Sequence, residues 1–232
     1  MREQPKFGAI CFDCDSTLTR IEGIDELARR SGQEAEIAPL TAAAMEGSLS
    51  LEDVYARRLA IVRPDRDALA WLGERYVEEM VDGAIETIAA LQRLRKSVYL
   101  VSSGLRQPVA KLAQALSIAP CNVLAVEIYL DSAGSYVGFD ASSPLVRTEG
   151  KAEICRALAA RHGALAMVGD GVTDLAARAS GAYVIGFGGV THRQVMAESA
   201  DYFIADATLA RTLEVLLTDA ELRDATRPFQ QR

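Results

Sequence analysis

Three observations predict a doubly wound α/β fold with a mostly parallel sheet and a small inserted helical cap. From Gly83 onward, short apolar runs alternate with stretches of helical period. Three of the predicted strands stop at residues suited to chemistry, Asp13, Ser102 and Asp170, and open α/β sheets bind ligands at the carboxyl ends of their strands. Between the first and second strand patterns, Ile21 to Met80 is helical throughout, as an inserted module would be. The expected division is a catalytic core of residues 1–18 and 81–232 and a cap of residues 19–80.

Lys6 to Phe12 is nearly all apolar and predicts a first strand buried on both faces, with Asp13 at its carboxyl end. In the cap, Ile24, Leu27 and Ala28 mark a helix ending at Ser31-Gly32, and Ile37, Leu40 and Ala44 a second ending at Gly47. Ser50 with Asp53 three residues later resembles a capping box and opens a third helix that stops at Arg63-Pro64. A fourth begins at Asp65 and carries Ala68, Leu69, Leu72, Tyr76 and Met80. On the third helix Leu51, Val54, Tyr55, Arg58 and Val62 share one stripe, so Arg58 points with the apolar residues and Arg57 does not. An inward guanidinium calls for an anionic partner, unless its stem packs and its head reaches water.

After Gly83 a helix (Ile85, Ile88, Leu91) precedes the strand Val98 to Val101, which stops at Ser102-Ser103-Gly104. Pro108 opens the next helix. Asn122 to Leu130 and Ser135 to Phe139 flank an Asp-Ser-Ala-Gly turn and predict a hairpin. A helix from Gly150 to Arg161 leads to the strand Leu165 to Val168, then to Gly169-Asp170-Gly171 and a helix ending at Gly181. Tyr183 to Phe187 and Tyr202 to Ile204 are the last predicted strands. Gly186-Phe-Gly-Gly189 lacks the third glycine of a dinucleotide fingerprint and reads as a loop. His162 reads as a helix end and His192 as the start of a late helix, and neither joins a cluster.

The 232 residues, 50% hydrophobic and 25% charged, are enough for one core and a small second module. A net charge of -7 argues against nucleic acid or an anionic membrane as main partner, so a small anionic substrate needs a locally positive site. The start of the chain has no apolar stretch behind a basic one, and no apolar run approaches the ~18 residues that span a bilayer, so a soluble cytoplasmic protein is expected. Cys11, Cys14, Cys121 and Cys155 lie mostly in apolar runs, which suits reduced, buried thiols. Cys11-x-x-Cys14 is also a spacing used by redox and zinc sites, but in a strand it sends the two thiols to opposite faces, and no second pair completes a site.

Residues two apart in extended backbone point the same way, so Asp13 and Asp15 can approach one reacting centre. One carboxylate attacks while the other moves a proton, provided their surroundings separate their pKa values. An Asp/Ser turn closing the strand is the plain alternative. Ser16 and Thr17 add hydroxyls suited to an anion, and Ser102 precedes a glycine and a helix, where backbone amides meet phosphate. Lys151 stands at a helix start, against the helix dipole, which suits a lysine neutralising a phosphate and a carboxylate nucleophile or a solvated surface lysine. Asp170 and Asp174 are four residues apart, one helical turn if the helix starts promptly after Asp170. Carboxylates gathered there repel by ~4 kcal/mol per pair at ~4 Å in a surface-like dielectric. An all-oxygen set without histidine or cysteine answers that repulsion with Mg²⁺.

Taken in order, Asp13-x-Asp15-x-Thr17, Ser102, Lys151 and Asp170 with Asp174 resemble the haloacid dehalogenase superfamily of phosphotransferases. The resemblance covers nearly the whole chain. Glu22-Gly-Ile-Asp-Glu-Leu, Ala44-Met-Glu-Gly, Arg58-Leu-Ala-Ile, Tyr136-Val-Gly-Phe-Asp and the run from Gly169 to Gly189 fit the branch that hydrolyses a small phosphorylated amino acid. It implies a Rossmann-like core and Mg²⁺ held by the Asp13 side chain, the Asp15 carbonyl and the Asp170 side chain, with Asp174 behind through water. By the same resemblance, Asp13 is the nucleophile and Asp15 the general acid and base. Ser102, Ser103 and Lys151 bind phosphate, Glu22 takes the substrate ammonium, Arg58 its carboxylate, and Met45 and Thr173 complete the substrate site. Three positions depart from the usual pattern: Leu51 replaces an aromatic, Ser103 a glycine, and Thr173 stands where some members carry Asn. A phosphatase or phosphotransferase acting on another small phosphorylated amino acid or metabolite keeps the same chemistry. A phospho-accepting receiver module also combines aspartates, a hydroxyl and a lysine, but has neither the second Asp nor an inserted cap.

Overall fold

A computed structural model describes residues 7–226, so Lys6, the first residue of the expected opening strand, lies outside the described part. In chain order the strands are β1 (Ala9–Phe12), β2 (Ser97–Leu105), β3 (Val123–Val126), β4 (Ile128–Leu130), β5 (Tyr136–Phe139), β6 (Leu165–Gly169), β7 (Tyr183–Phe187) and β8 (Tyr202–Ile204). Six of them form one parallel sheet in the order β3-β2-β1-β6-β7-β8, while β4 and β5 pair as a separate antiparallel hairpin. All four residues of β1 are buried, because strands joined by crossover helices are covered on both faces.

The parallel register positions the chemistry. Phe12 lies opposite Leu100 of β2 and Val168 of β6. One residue beyond Phe12 stands Asp13, and two residues beyond its partners stand Ser102 and Asp170. Segments far apart in the chain therefore deliver three polar side chains to one edge of the sheet.

Four helices separate β1 from the return to the core: α1 (Gly23–Ser31), α2 (Glu34–Glu46), α3 (Leu51–Val62) and α4 (Arg66–Glu78). Their ends follow the sequence signals. Gly32 and Gly47 close α1 and α2 in the left-handed conformation (φ 75 and 81°), where a side chain is strained. Ser50 caps α3 by accepting from Asp53 N, and Asp65 caps α4 by accepting from Ala68 N. The insertion leaves and rejoins the core through paired backbone: Thr19 and Met80 form an antiparallel bridge, flanked by Arg20 N to Glu79 O (2.8 Å) and Val81 N to Leu18 O (3.0 Å).

The core helices are α5 (Ala84–Arg93), α6 (Arg106–Ala115), α7 (Gly150–His162), α8 (Val172–Leu175), α9 (Gln194–Ser199), α10 (Leu213–Leu216) and α11 (Asp219–Thr226). Several expectations are corrected. β2 does not stop at Val101 but runs to Leu105 through an irregularity in its pairing with β3. The long run from Asn122 to Leu130 is two strands, because its first half pairs in parallel with β2 and its second turns into the hairpin. α6 opens at Arg106, two residues before Pro108, and the helix expected after Gly171 is the short α8 continued as a 3₁₀ turn to Ser180. Gly186 and Phe187 end β7, leaving only Gly188 and Gly189 in the loop. His192 precedes α9 and sets its ring edge-on to Phe203, 5.1 Å away, while His162 Nε2 meets the Tyr99 hydroxyl at 2.8 Å. Cys121 is exposed, unlike the other three cysteines, and Ile85 faces solvent. Among the described residues no helix is long and apolar enough to cross a membrane.

Candidate active site

At the end of β1 the backbone N–H of Asp13 still donates to Val168 O (2.9 Å), so the side chain leaves a strand that remains paired. Its Oδ1 accepts from Cys14 N (2.7 Å) and its Oδ2 from Lys151 Nζ (2.8 Å). Lys151, in the first turn of α7, also donates to Asp174 Oδ1 (2.6 Å) and is only 1% exposed. Burial draws its ammonium down, and the charges of Asp13 and Asp174 outweigh that and hold it above its ordinary value. The cation that the helix dipole disfavours is thus locked between two carboxylates.

Asp174 is seated by its neighbours. Its Oδ2 accepts from Gly171 N (3.0 Å), and a Cβ on Gly169 would fall 2.1 Å from its carboxyl carbon, so glycine is needed there for space. Carboxylate oxygens of Asp13, Asp170 and Asp174 lie within 4.8 Å of one another, all buried. Burial pushes Asp170 up to about 7, with the Glu22 charge adding and Arg193 opposing. Burial likewise pushes Asp174 up to about 7 against the pull of Lys151. A buried oxygen-only cluster short of positive charge fits a hard divalent cation.

Asp15 lies beside this cluster, its Oδ1 accepting from the Tyr76 hydroxyl (2.6 Å) and from Gly23 N (3.2 Å). Burial lifts its carboxyl to about 7; Tyr76 draws it back and the Asp13 charge adds to the rise. Two carboxyls two residues apart therefore sit in different surroundings, as acid and nucleophile roles require. Glu22 accepts from Ser16 Oγ (2.7 Å), and burial followed by the Asp15 charge pushes it up to about 8. Ser102 Oγ accepts from Gly104 N (2.9 Å), which leaves its own proton free to donate.

One cleft is bordered by Asp13, Asp15, Glu22, Met45, Arg58, Ser102, Ser103, Asp170 and Thr173, with Leu51 and Tyr55 in its wall. Lys151 and Asp174 lie behind Asp13 rather than on the cleft's lining. The reading of Ser16 and Thr17 as anion-binding hydroxyls is not met. Ser16 adopts a left-handed turn (φ 51°) and gives its proton to Glu22, and Thr17 Oγ1 is fully buried outside the cleft lining.

Arg58 is 5% exposed, as its place on the stripe predicted. No carboxylate pairs with it among the described residues. Its Nη1 donates to Thr41 Oγ1 (3.1 Å), which in turn donates to Asp25 Oδ1 (2.6 Å), and its Nε is buried without a partner. A buried guanidinium with an unpartnered N–H is chemically suited to an anionic group.

Three contributors escaped sequence reading. Arg193, in the loop before α9, donates from Nε to Asp170 Oδ2 (2.9 Å) and reaches Glu22 Oε1 from Nη2 (3.4 Å). Nothing in Thr191-His-Arg193 marks it. Thr41 was hidden in an otherwise ordinary helix. Tyr76 read as a core residue of α4, although a tyrosine on a buried stripe brings a hydroxyl that needs a partner, and that signal was available.

Buried carboxylates at the carboxyl edge of a parallel sheet, a lysine clamped to the first of them and a helical insertion after β1 define a haloacid dehalogenase-like hydrolase. The model of that family matches residues 7–181, and the chain belongs to it. The chain is 37% identical to the phosphoserine phosphatase of Mus musculus over 200 residues, 85% of this chain and 89% of the mouse protein. A phosphoserine phosphatase solved with substrate bound superposes with a TM-score of 0.78 at 27% identity, over 93% of this chain and 100% of the other. A phospho-aspartyl intermediate analogue of phosphoserine phosphatase superposes with a TM-score of 0.74 at 28% identity, over 92% of this chain and 100% of the other.

Proposed function

We propose that this chain is a Mg²⁺-dependent phosphoserine phosphatase of the cytoplasm, hydrolysing O-phospho-L-serine to L-serine and phosphate in the closing step of serine biosynthesis. The observation that carries the reading is Arg58. Arg58 borders the same cleft as Glu22 and Asp13 and keeps a buried Nε without a partner, and the three side chains suit a carboxylate, an ammonium and a phosphoryl group of one small zwitterion. The family membership and the similarity to phosphoserine phosphatases point to the same substrate.

In this mechanism Arg58 and Glu22 hold the substrate's carboxylate and ammonium, while Ser102 and the Ser103 amide hold its phosphoryl group and Lys151, from behind Asp13, adds positive charge to that group as it joins the Asp13 oxygen. Met45 and Thr173 complete the walls. Asp13, the Asp15 carbonyl and Asp170 would hold Mg²⁺, with Asp174 behind through water, and the ion when bound neutralises charge on the phosphoryl oxygens. An Asp13 oxygen attacks phosphorus as the bond to the seryl oxygen breaks, giving a phosphoaspartyl enzyme and a seryl oxygen that takes its proton from Asp15. Asp15, now a carboxylate, removes a proton from the water that attacks the phosphoaspartate, releasing phosphate and restoring Asp13. The division into a core of residues 1–18 and 81–232 and a substrate-selecting cap of residues 19–80 belongs to the same reading, and the Thr19–Met80 bridge supports it.

One observation favours a second reading, action on another small phosphorylated amino acid, as phosphatase or phosphotransferase. Leu51 and Ser103 both border the cleft, and Ser103 Oγ is buried without a partner. Phosphate release from phosphoserine with Mg²⁺, with and without homoserine as acceptor, separates the two: release independent of acceptor supports hydrolysis. Arg58→Ala tests the substrate. A hydrogen-bonded charge contact is worth about 1.5–3 kcal/mol, so KM for phosphoserine should rise ~10–150-fold. An aryl phosphate has no carboxylate to lose, and an equal loss on both substrates would defeat the assignment.

A further inference from the structure

Asp15 has two carboxylate oxygens, and the mechanism proposed above uses one of them to move a proton. We propose that Tyr76 is a positioning residue that assigns those oxygens, clamping Oδ1 and leaving Oδ2 for the leaving group; this rests on the phosphatase reading.

The geometry carries the inference from three sides. Tyr76 is fully buried, and its hydroxyl lies 2.6 Å from Asp15 Oδ1, which also takes the Gly23 N–H at 3.2 Å. Both lobes of Oδ1 are thereby engaged. The hydroxyl is also confined: a Cβ on Gly23 would stand 2.0 Å from it, so the residue at the start of α1 must lack a side chain for Tyr76 to reach Asp15. Oδ2, by contrast, lies beside Gly104, as the Ser102 hydroxyl does. A Cβ placed on Gly104 would meet Ser102 Oγ at 3.0 Å and Asp15 Oδ2 at 3.4 Å. The two oxygens border one small space in the cleft where an ester oxygen joined to phosphorus would be received.

Tyr76 is well placed to hold a fixed position. It lies on α4, which packs along α6, the helix that follows the Ser102-Ser103 segment. Four residues later the chain rejoins the core at the Thr19–Met80 bridge.

In the step concerned, the new bond joins an Asp13 oxygen to phosphorus. The electron pair of the broken phosphorus–oxygen bond stays on the seryl oxygen, which takes the proton from Oδ2. Asp15 is left as a carboxylate whose Oδ1 still accepts from Tyr76. The hydrogen bond thus both orients the acid and steadies the charge it acquires.

A seryl oxygen is a poor leaving group and needs that proton, whereas a nitrophenolate departs without one. The test is Tyr76→Phe, which keeps the ring and removes only the hydroxyl. The readout is kcat/KM, which reports steps up to leaving-group release, on phosphoserine and on p-nitrophenyl phosphate. Because misplacing a catalytic group by ~1 Å can cost ~100-fold, the phosphoserine-to-aryl ratio should fall by ~10-fold or more. A purely structural tyrosine would lower both rates together, so an unchanged ratio overturns the proposal. Gly23→Ala, whose methyl displaces the same hydroxyl, should shift the ratio in the same direction; a ratio held at the wild-type value counts against it too. If the wild-type enzyme prefers another alkyl phosphate, the substrate reading fails, and the same ratio measured with that ester still decides the role of Tyr76.

Discussion

Asp13→Asn is expected to abolish turnover, with kcat/KM for phosphoserine falling on the order of 10⁴-fold or more, the scale seen when a covalent nucleophile is removed. The amide is isosteric, so the shape of the cleft is kept. What disappears is the negative charge that makes the side-chain oxygen a nucleophile, along with the charge that pairs with Lys151 at 2.8 Å. Lys151 retains Asp174 at 2.6 Å, so the variant does not leave a lone buried cation and should fold. Phosphate release checks the rate. Mass spectrometry of the intact protein quenched in acid during turnover checks the intermediate: a phosphate adduct on the wild type and none on the variant. Wild-type turnover by the variant would end the reading of Asp13 as the phosphorylated residue.

Removing divalent cations should stop turnover, by at least ~100-fold on the scale of several kcal/mol of lost charge stabilisation, and Mg²⁺ should restore it. The same treatment should also make stability fall as pH rises. Burial is the largest cause lifting Asp15, Asp170 and Asp174 to about 7 and Glu22 to about 8 in the fold. In the unfolded chain such groups titrate near ~4. Between those values the folded protein holds protons that the unfolded chain has released, so this stability is present at low pH and is lost as the pH climbs through about 7–8. The four groups share one site, and their effects do not add. A loss of ~2 kcal/mol between pH ~5 and ~8.5 would lower Tm by ~4–8 °C for a chain of this size. Millimolar Mg²⁺ should remove most of that fall, since a ligand of the native state alone stabilises it by mass action. Thermal melts of chelated protein across that range decide the matter, and a metal-free Tm that rises with pH would contradict it.

Much of the architecture was legible because it depends on local pattern. The helical period of the cap, the Ser50 and Asp65 caps and the closing Gly32 and Gly47 are short-range features, and each appears where its residues predicted. The stretches that misled were those whose state depends on a partner strand. β2 extends past Ser102 because β3 continues to pair with it, and the run from Asn122 splits because its two halves face different neighbours. Periodicity within a segment carries no record of such pairing.

The site divides the same way. Arg58 on an apolar stripe and Lys151 against a helix dipole both broke local rules, and those violations marked them before any fold was known. Their partners were another matter. That Lys151 is held by Asp13 and Asp174, that Arg58 donates to Thr41, and that Arg193 spans Asp170 and Glu22 are contacts between segments distant in the chain.

By itself the sequence determined the alternation of strands and helices and singled out Asp13, Ser102, Lys151 and Asp170 as candidates for the chemistry, because residue type and local period are written along the chain. Only the tertiary structure decided that Phe12, Leu100 and Val168 share one register, and so that Asp13, Ser102 and Asp170 meet at one edge of the sheet. It also decided that Asp15 Oδ1 is the oxygen that accepts from Tyr76. The physical reason is that hydrogen-bond register and burial are set by the packing of remote segments against one another, and these in turn fix the direction and charge of each group.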